Sequence, residues 1–167
     1  MYHYVRPIKK SKYPGVKGLE FNSFKKQLDF LSKKYEFITA EQLIANSQGK
    51  EELPQNACYL TFDDGFKDHI KYVMPELKSR KLQGSFFPPA CAIEKNELLD
   101  VHAIQFILAN TKDYKKLVND IDQLCLKINF KKNDLDLLKK KWAVPSRYDS
   151  KDIMYVKHML QHVLSKN

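Results

Sequence analysis

Two adjacent carboxylates, Asp63 and Asp64, close the apolar run Ala57-Cys58-Tyr59-Leu60-Thr61-Phe62 and are followed by Gly65. Side by side, two carboxylates are unfavourable unless a cation or a proton neutralises one of them. A divalent metal does this well, because one carboxylate can bind it while the other takes a proton from water. Gly65 permits a tight turn with the backbone close to the pair. Taken alone, Asp-Asp-Gly reads first as a strand-ending turn whose Asp caps the next helix. Its setting shifts the reading toward chemistry. An apolar strand before it and a helix after it is where parallel α/β folds gather functional groups, beyond the carboxyl ends of their strands.

The histidines are the other candidates. His158 and His162, in His-Met-Leu-Gln-His, have the i, i+4 spacing that puts both imidazoles on one helix face, as metal sites require. They also fall beside the stripe Ile153, Val156, Met159, Leu160 and Val163, and read as part of a packed surface helix. His69, one turn after Asp64, is expected to face solvent, and His102, at a helix start, to be structural. His3 lies on a strand that can end near the carboxylates, where it either lines a pocket or packs.

The elements that must position these groups follow from pattern. Tyr2–Val5 reads as a short strand stopped by Arg6-Pro7. Phe24, Leu28 and Leu31 fall at i, i+4, i+7, the spacing of a one-sided helix, with Asn22 or Ser23 as cap and Phe21 as staple. Thr39-Ala40-Glu41-Gln42 has the form of a capping box. Ala57–Phe62 is apolar and β-forming, and reads as a central buried strand. Phe66–Lys81 is helical in character, with Pro75 marking a turn or a restart. Gly84-Ser85-Phe86-Phe87 is the next strand, halted by Pro88-Pro89. Strand, helix, strand is a βαβ unit and implies a parallel sheet. After Glu97 come four helical stretches, Val101–Asn110, Tyr114–Lys127, Leu135–Trp142 and Asp152–Leu164, with no convincing strand between them. The expected organisation is an α/β part over residues 1–97 and a helical insertion or appendage over 98–167.

Composition narrows the class. With 167 residues, 43% hydrophobic, ten Phe and nine Tyr, the chain can bury a core. The net charge of +9 comes from Lys scattered among Asp and Glu, with Arg sparse. That is a solvated surface, not the clustered basic face of a nucleic-acid module. The three cysteines form no Cys-x-x-Cys pair, and Cys58 and Cys91 are expected to be buried packing residues. No apolar run approaches the roughly 20 residues that span a bilayer. Met1–Pro7 lacks the form of a signal peptide, so a cytoplasmic location is expected.

Thr61-Phe62-Asp63-Asp64-Gly65-Phe66 closely resembles the first signature of the polysaccharide deacetylases, the NodB-homology proteins of carbohydrate esterase family four. Tyr2–Arg6 resembles their opening strand. Phe21, Phe24, Gln27, Leu28, Leu31 and Tyr35 resemble the helix that follows. Gly84–Pro89 resembles their second strand. The likeness covers about residues 1–95. It implies a partial, distorted (β/α) barrel that removes N-acetyl groups from the aminosugars of a polysaccharide or oligosaccharide. Asp63 matches the general base, and Asp64 matches a ligand of zinc or another divalent metal.

The family completes its site with a His-Ser/Thr-x-x-His pair, an Arg and a late His. His158 lacks the following Ser/Thr, and no strand precedes it. The sequence therefore reads as stopping before the second signature, with low or no activity by itself and a complementing C-terminal polypeptide as an expected partner. Two other classes compete. One is a non-catalytic, glycan-binding remnant in which Phe86, Phe87 and tyrosines stack on sugars. The other is a magnesium phosphoryl-transfer enzyme, against which the adjacent rather than alternate spacing of Asp63 and Asp64 argues.

Overall fold

The segment around residues 57–63 organises the first part of the chain. The computed structural model describes residues 1–164. They belong to two compact units, Met1–Glu97 and one that begins at Leu98.

In the first unit the order is β1 (Val5–Arg6), β2 (Leu19–Glu20), α1 (Phe21–Leu31), β3 (Glu36–Phe37), α2 (Ala40–Ser47), β4 (Ala57–Cys58) and β5 (Thr61–Asp63). A π-helical turn, His69–Val73, then runs into α3 (Met74–Ser79), followed by β6 (Ser85–Phe87) and α4 (Ala90–Glu94). Among the described residues the strands form three parallel pairs, β1 with β2, β3 with β4 and β5 with β6. A parallel bridge between Tyr2 and Phe62 adds the N-terminal segment to β5. The Tyr2 N–H donates to the Thr61 carbonyl at 2.8 Å, and the Asp63 N–H donates to the Tyr2 carbonyl at 2.9 Å. The β5–α3–β6 crossover is the parallel βαβ unit that the alternation of patterns predicts.

Several expectations need correction. The apolar run is not one strand: Ala57–Cys58 pairs with β3, and Thr61–Asp63 pairs with β6. The first-strand ladder lies at Val5–Arg6 rather than over Tyr2–Val5. Helix α1 begins at Phe21, directly out of β2, so neither Asn22 nor Ser23 caps it and Phe21 cannot staple it from outside. Glu20 holds the cap position without a side-chain bond. Strands β2 and β3, of two residues each, are too short to carry a period. The capping box at α2 is present, with Thr39 accepting from the Gln42 N–H and the Gln42 side chain accepting from the Thr39 N–H.

Phe24 and Leu28 of α1 pack with Val5, Leu60, Phe62, Val73 and Leu77 in one core. Leu60 and Phe62 are two apart, so they share a face of the β5 segment, and Asp63 falls on the opposite one.

The second unit is helical: α5 (Asp100–Asn110), α6 (Tyr114–Lys127), α7 (Lys132–Trp142) and α8 (Lys151–His158), which continues as the π-helical turn Met159–Val163. Its core joins Ile104, Leu108, Ile121, Cys125, Leu135, Tyr155, Val156 and Met159. Cys125 is the fully buried cysteine, whereas Cys58 and Cys91 are half-buried, contrary to expectation. Among the described residues no helix is long and apolar enough to cross a membrane.

A candidate active site at the carboxyl end of β5

Consecutive residues of a regular strand project to opposite faces. Asp63 and Asp64 escape this rule through the turn that ends β5. Asp64 has φ +72° and Gly65 φ +63°, two successive left-handed residues. Asp is among the few side chains that reach this region at modest cost, because its short polar group can bond locally. Gly65 is required for a second reason. A Cβ there would lie 2.6 Å from the Pro88 Cβ and 3.1 Å from its Cα. The same turn is tied to β6 by the Asp64 N–H, which donates to the Phe87 carbonyl at 3.1 Å.

The two carboxylates converge on His3. Its Nε2 lies 3.8 Å from Asp63 Oδ2 and 3.9 Å from Asp64 Oδ2. The Tyr2–Phe62 bridge carries His3 to this place, beside the end of β5. The Asp63 and Asp64 side chains are 29% and 21% exposed, open enough to meet a solute and sheltered enough for charge to matter. Between its two readings, His3 lines the site.

A second set of groups holds this one in place. His69 is buried, not solvent-facing as its position after Asp64 suggests. The π-helical turn presents it inward among the rings of Phe62, Phe66 and Phe86, and its Nε2 donates to the His3 carbonyl at 2.7 Å. Arg6 Nε lies 3.0 Å from Asp68 Oδ2. Tyr4 stacks on Phe66, with ring centroids 3.9 Å apart. Burial pushes the Tyr4 phenol up to about 12, with Asp64 and Asp68 adding to the rise and Arg6 opposing it.

The donor set does not complete a zinc site. A catalytic zinc takes three protein ligands, and among the described residues no three His, Cys, Asp or Glu side chains are grouped to hold an ion. His158 and His162 belong to the second unit, where their rings stand 5.6 Å apart and His158 stacks on Trp142 at 5.3 Å. Burial, then the neighbouring His162, Lys141 and Lys157, hold the His158 imidazole below its ordinary value. His102 is buried, as its structural reading requires.

His3 is the site residue that sequence reasoning left undecided. Its place depends on a bridge between segments sixty residues apart, as Tyr2 and Phe62 are, and on the buried His69 bonded to its carbonyl. Phe87 lies on β6 in register with Asp63.

No family model matches the sequence, and no curated protein matches it. Among solved structures the chain is similar to a de-N-acetylase from Aggregatibacter actinomycetemcomitans, at 26% identity and a TM-score of 0.49. The similarity covers 59% of this chain and 40% of that one. The chain therefore spans well under half of the protein it matches.

Proposed function

We propose that the first unit carries the hydrolytic centre of a metal-dependent polysaccharide deacetylase, within a partial (β/α) barrel of the NodB-homology kind. It would act on N-acetylated polysaccharide or oligosaccharide. The observation that carries this reading is the convergence of Asp63, Asp64 and His3 at the carboxyl end of a parallel strand pair. The resemblance of Thr61–Phe66 to the deacetylase signature supports it.

In this reading Asp63 takes a proton from the attacking water as its oxygen bonds to the acetamide carbon. The carbon–nitrogen bond then breaks, releasing acetate. The leaving sugar nitrogen gains a proton from His3, whose Nε2 faces both carboxylates. Asp64 would hold zinc or another divalent cation as one of its ligands, the ion supplying polarisation of the acetamide carbonyl. The remaining donors are not grouped with it among the described residues, so a complementing polypeptide would supply them, and the chain alone has low activity. The same shortage of grouped donors favours a second reading, a glycan-binding module without catalysis.

The two are separated by acetate release from N-acetylglucosamine oligomers with added zinc at high protein concentration. The expected result is slow release above the protein-free background, lost on Asp63→Asn and lowered on His3→Gln. Release that survives Asp63→Asn removes the base from the account. Glycan binding with no release at all leaves the second reading.

A further inference from the structure

β6 places one aromatic ring beside the paired acids. In the parallel β5–β6 ladder, Phe62 is in register with Phe86 and Asp63 with Phe87. Residues in register on neighbouring strands project to the same face, with the strands about 4.8 Å apart. Phe62 and Phe86 show this directly, their rings stacked at 4.9 Å and 19° from parallel on the core side. One residue further on, Asp63 and Phe87 share the other face. Phe86 is half-buried, whereas Phe87 is 55% exposed.

The ring's backbone is held on both sides. The Phe87 carbonyl accepts from the Asp64 N–H at 3.1 Å, and Pro88 lies against Gly65 so closely that no Cβ fits between them. Pro88 and Pro89 fix their own φ angles and restrict the residue before each. An exposed aromatic face on a restrained backbone loses little freedom when a flat partner covers it.

The neighbouring charges select that partner. Two carboxylates repel phosphates, which disfavours nucleic acid despite the basic chain, and they accept hydrogen bonds from hydroxyl and amide groups. A pyranose ring meets both demands. Its apolar C–H face covers an aromatic ring while its edge presents hydroxyl donors.

We propose that Phe87 is the platform on which a pyranose ring of the glycan stacks, holding its edge toward Asp63. This rests on the deacetylase reading for its substrate class but not for its measurement, because binding needs no turnover. The test is calorimetric titration of metal-free protein with the N-acetylglucosamine tetrasaccharide. Phe87→Ala, and Phe87→Leu, which keeps apolar bulk without the aromatic face, should each weaken binding by about tenfold or more. Phe87→Tyr, which keeps the aromatic face, should stay within about threefold of the wild type.

Equal affinity in the wild type, Phe87→Ala and Phe87→Leu overturns the platform, as does the absence of binding by the wild type. Acetate release with binding indifferent to Phe87 overturns this inference and leaves the deacetylase reading standing. Phe87-dependent binding with no acetate release does the reverse.

Discussion

The imidazole of His69 lies 2.7 Å from the backbone carbonyl oxygen of His3, with Nε2 as the donor because a carbonyl can only accept. A buried residue of the π-helical turn thus fixes the backbone of the residue whose own side chain faces Asp63 and Asp64. His69→Ala leaves both a cavity and an unmade bond, and should cost about 3 kcal/mol of stability. His69→Phe keeps most of the packing and should cost about 1–2 kcal/mol. Urea unfolding reads both. A loss below about 0.5 kcal/mol in the Ala variant contradicts the role.

Gly65 and Gly49 form a matched pair for the turn at the site. Both have positive φ, +63° and +70°, but a Cβ at Gly49 meets nothing within 4 Å, whereas at Gly65 it meets Pro88. Gly49→Ala should cost about 1 kcal/mol for conformation alone. Gly65→Ala should cost about 2–4 kcal/mol, since the proline turn must also move. Equal losses in thermal unfolding would show that Pro88 yields freely.

The long periodic segments were legible in the sequence, and so was the place of the acid pair at the end of a strand. Helix α6 matches its predicted limits of Tyr114–Lys127, because fourteen residues carry several turns of a regular apolar stripe. The capping box at Thr39 was equally plain, since its signature is local. The two-residue strands β2 and β3 gave no such signal; only their partners define them. His69 was misplaced because a π-helical turn shifts the phase that helical spacing assumes. The way two neighbouring acids come to one imidazole was also hidden. It depends on the left-handed turn at Asp64 and on the Tyr2–Phe62 bridge, and neither is a property of residue order alone.

The helical unit contains a buried polar network. Asp122 of α6 accepts from the Tyr155 hydroxyl at 2.7 Å and pairs with Lys139 of α7, so one carboxylate links α6, α7 and α8. Burial and this carboxylate both raise the Tyr155 phenol. Asp122→Ala should cost about 3 kcal/mol, because it strands a buried hydroxyl as well as a lysine. Tyr155→Phe and Lys139→Met should cost about 1–2 kcal/mol each. In a double-mutant cycle, Asp122→Ala with Tyr155→Phe should fall short of the sum. Strict additivity would mean that the network carries no coupling.

Alkaline titration tests the surroundings of Tyr4. The fold favours its neutral phenol, whose value rises from 10.0 to about 12, so the unfolded chain releases this proton first. The stability from Tyr4 is therefore full below pH 10.0 and is lost as the pH rises toward about 12. Tyr4→Phe should reduce the alkaline loss of unfolding free energy by about 2–3 kcal/mol. An unchanged pH profile in that variant contradicts the burial assigned to the hydroxyl.

Zinc titration by calorimetry, comparing the wild type with Asp64→Ala, bears most directly on the acid pair. Both proteins should carry His158→Gln and His162→Gln, because an i, i+4 pair can hold metal by itself. With three donors not grouped at the site, the predicted affinity of the wild-type centre is weak, on the order of 0.1 mM. Heat of binding should vanish on Asp64→Ala and persist in part on Asp63→Asn. An affinity that Asp64→Ala leaves unchanged would show that the two acids closing β5 are not there to hold a cation.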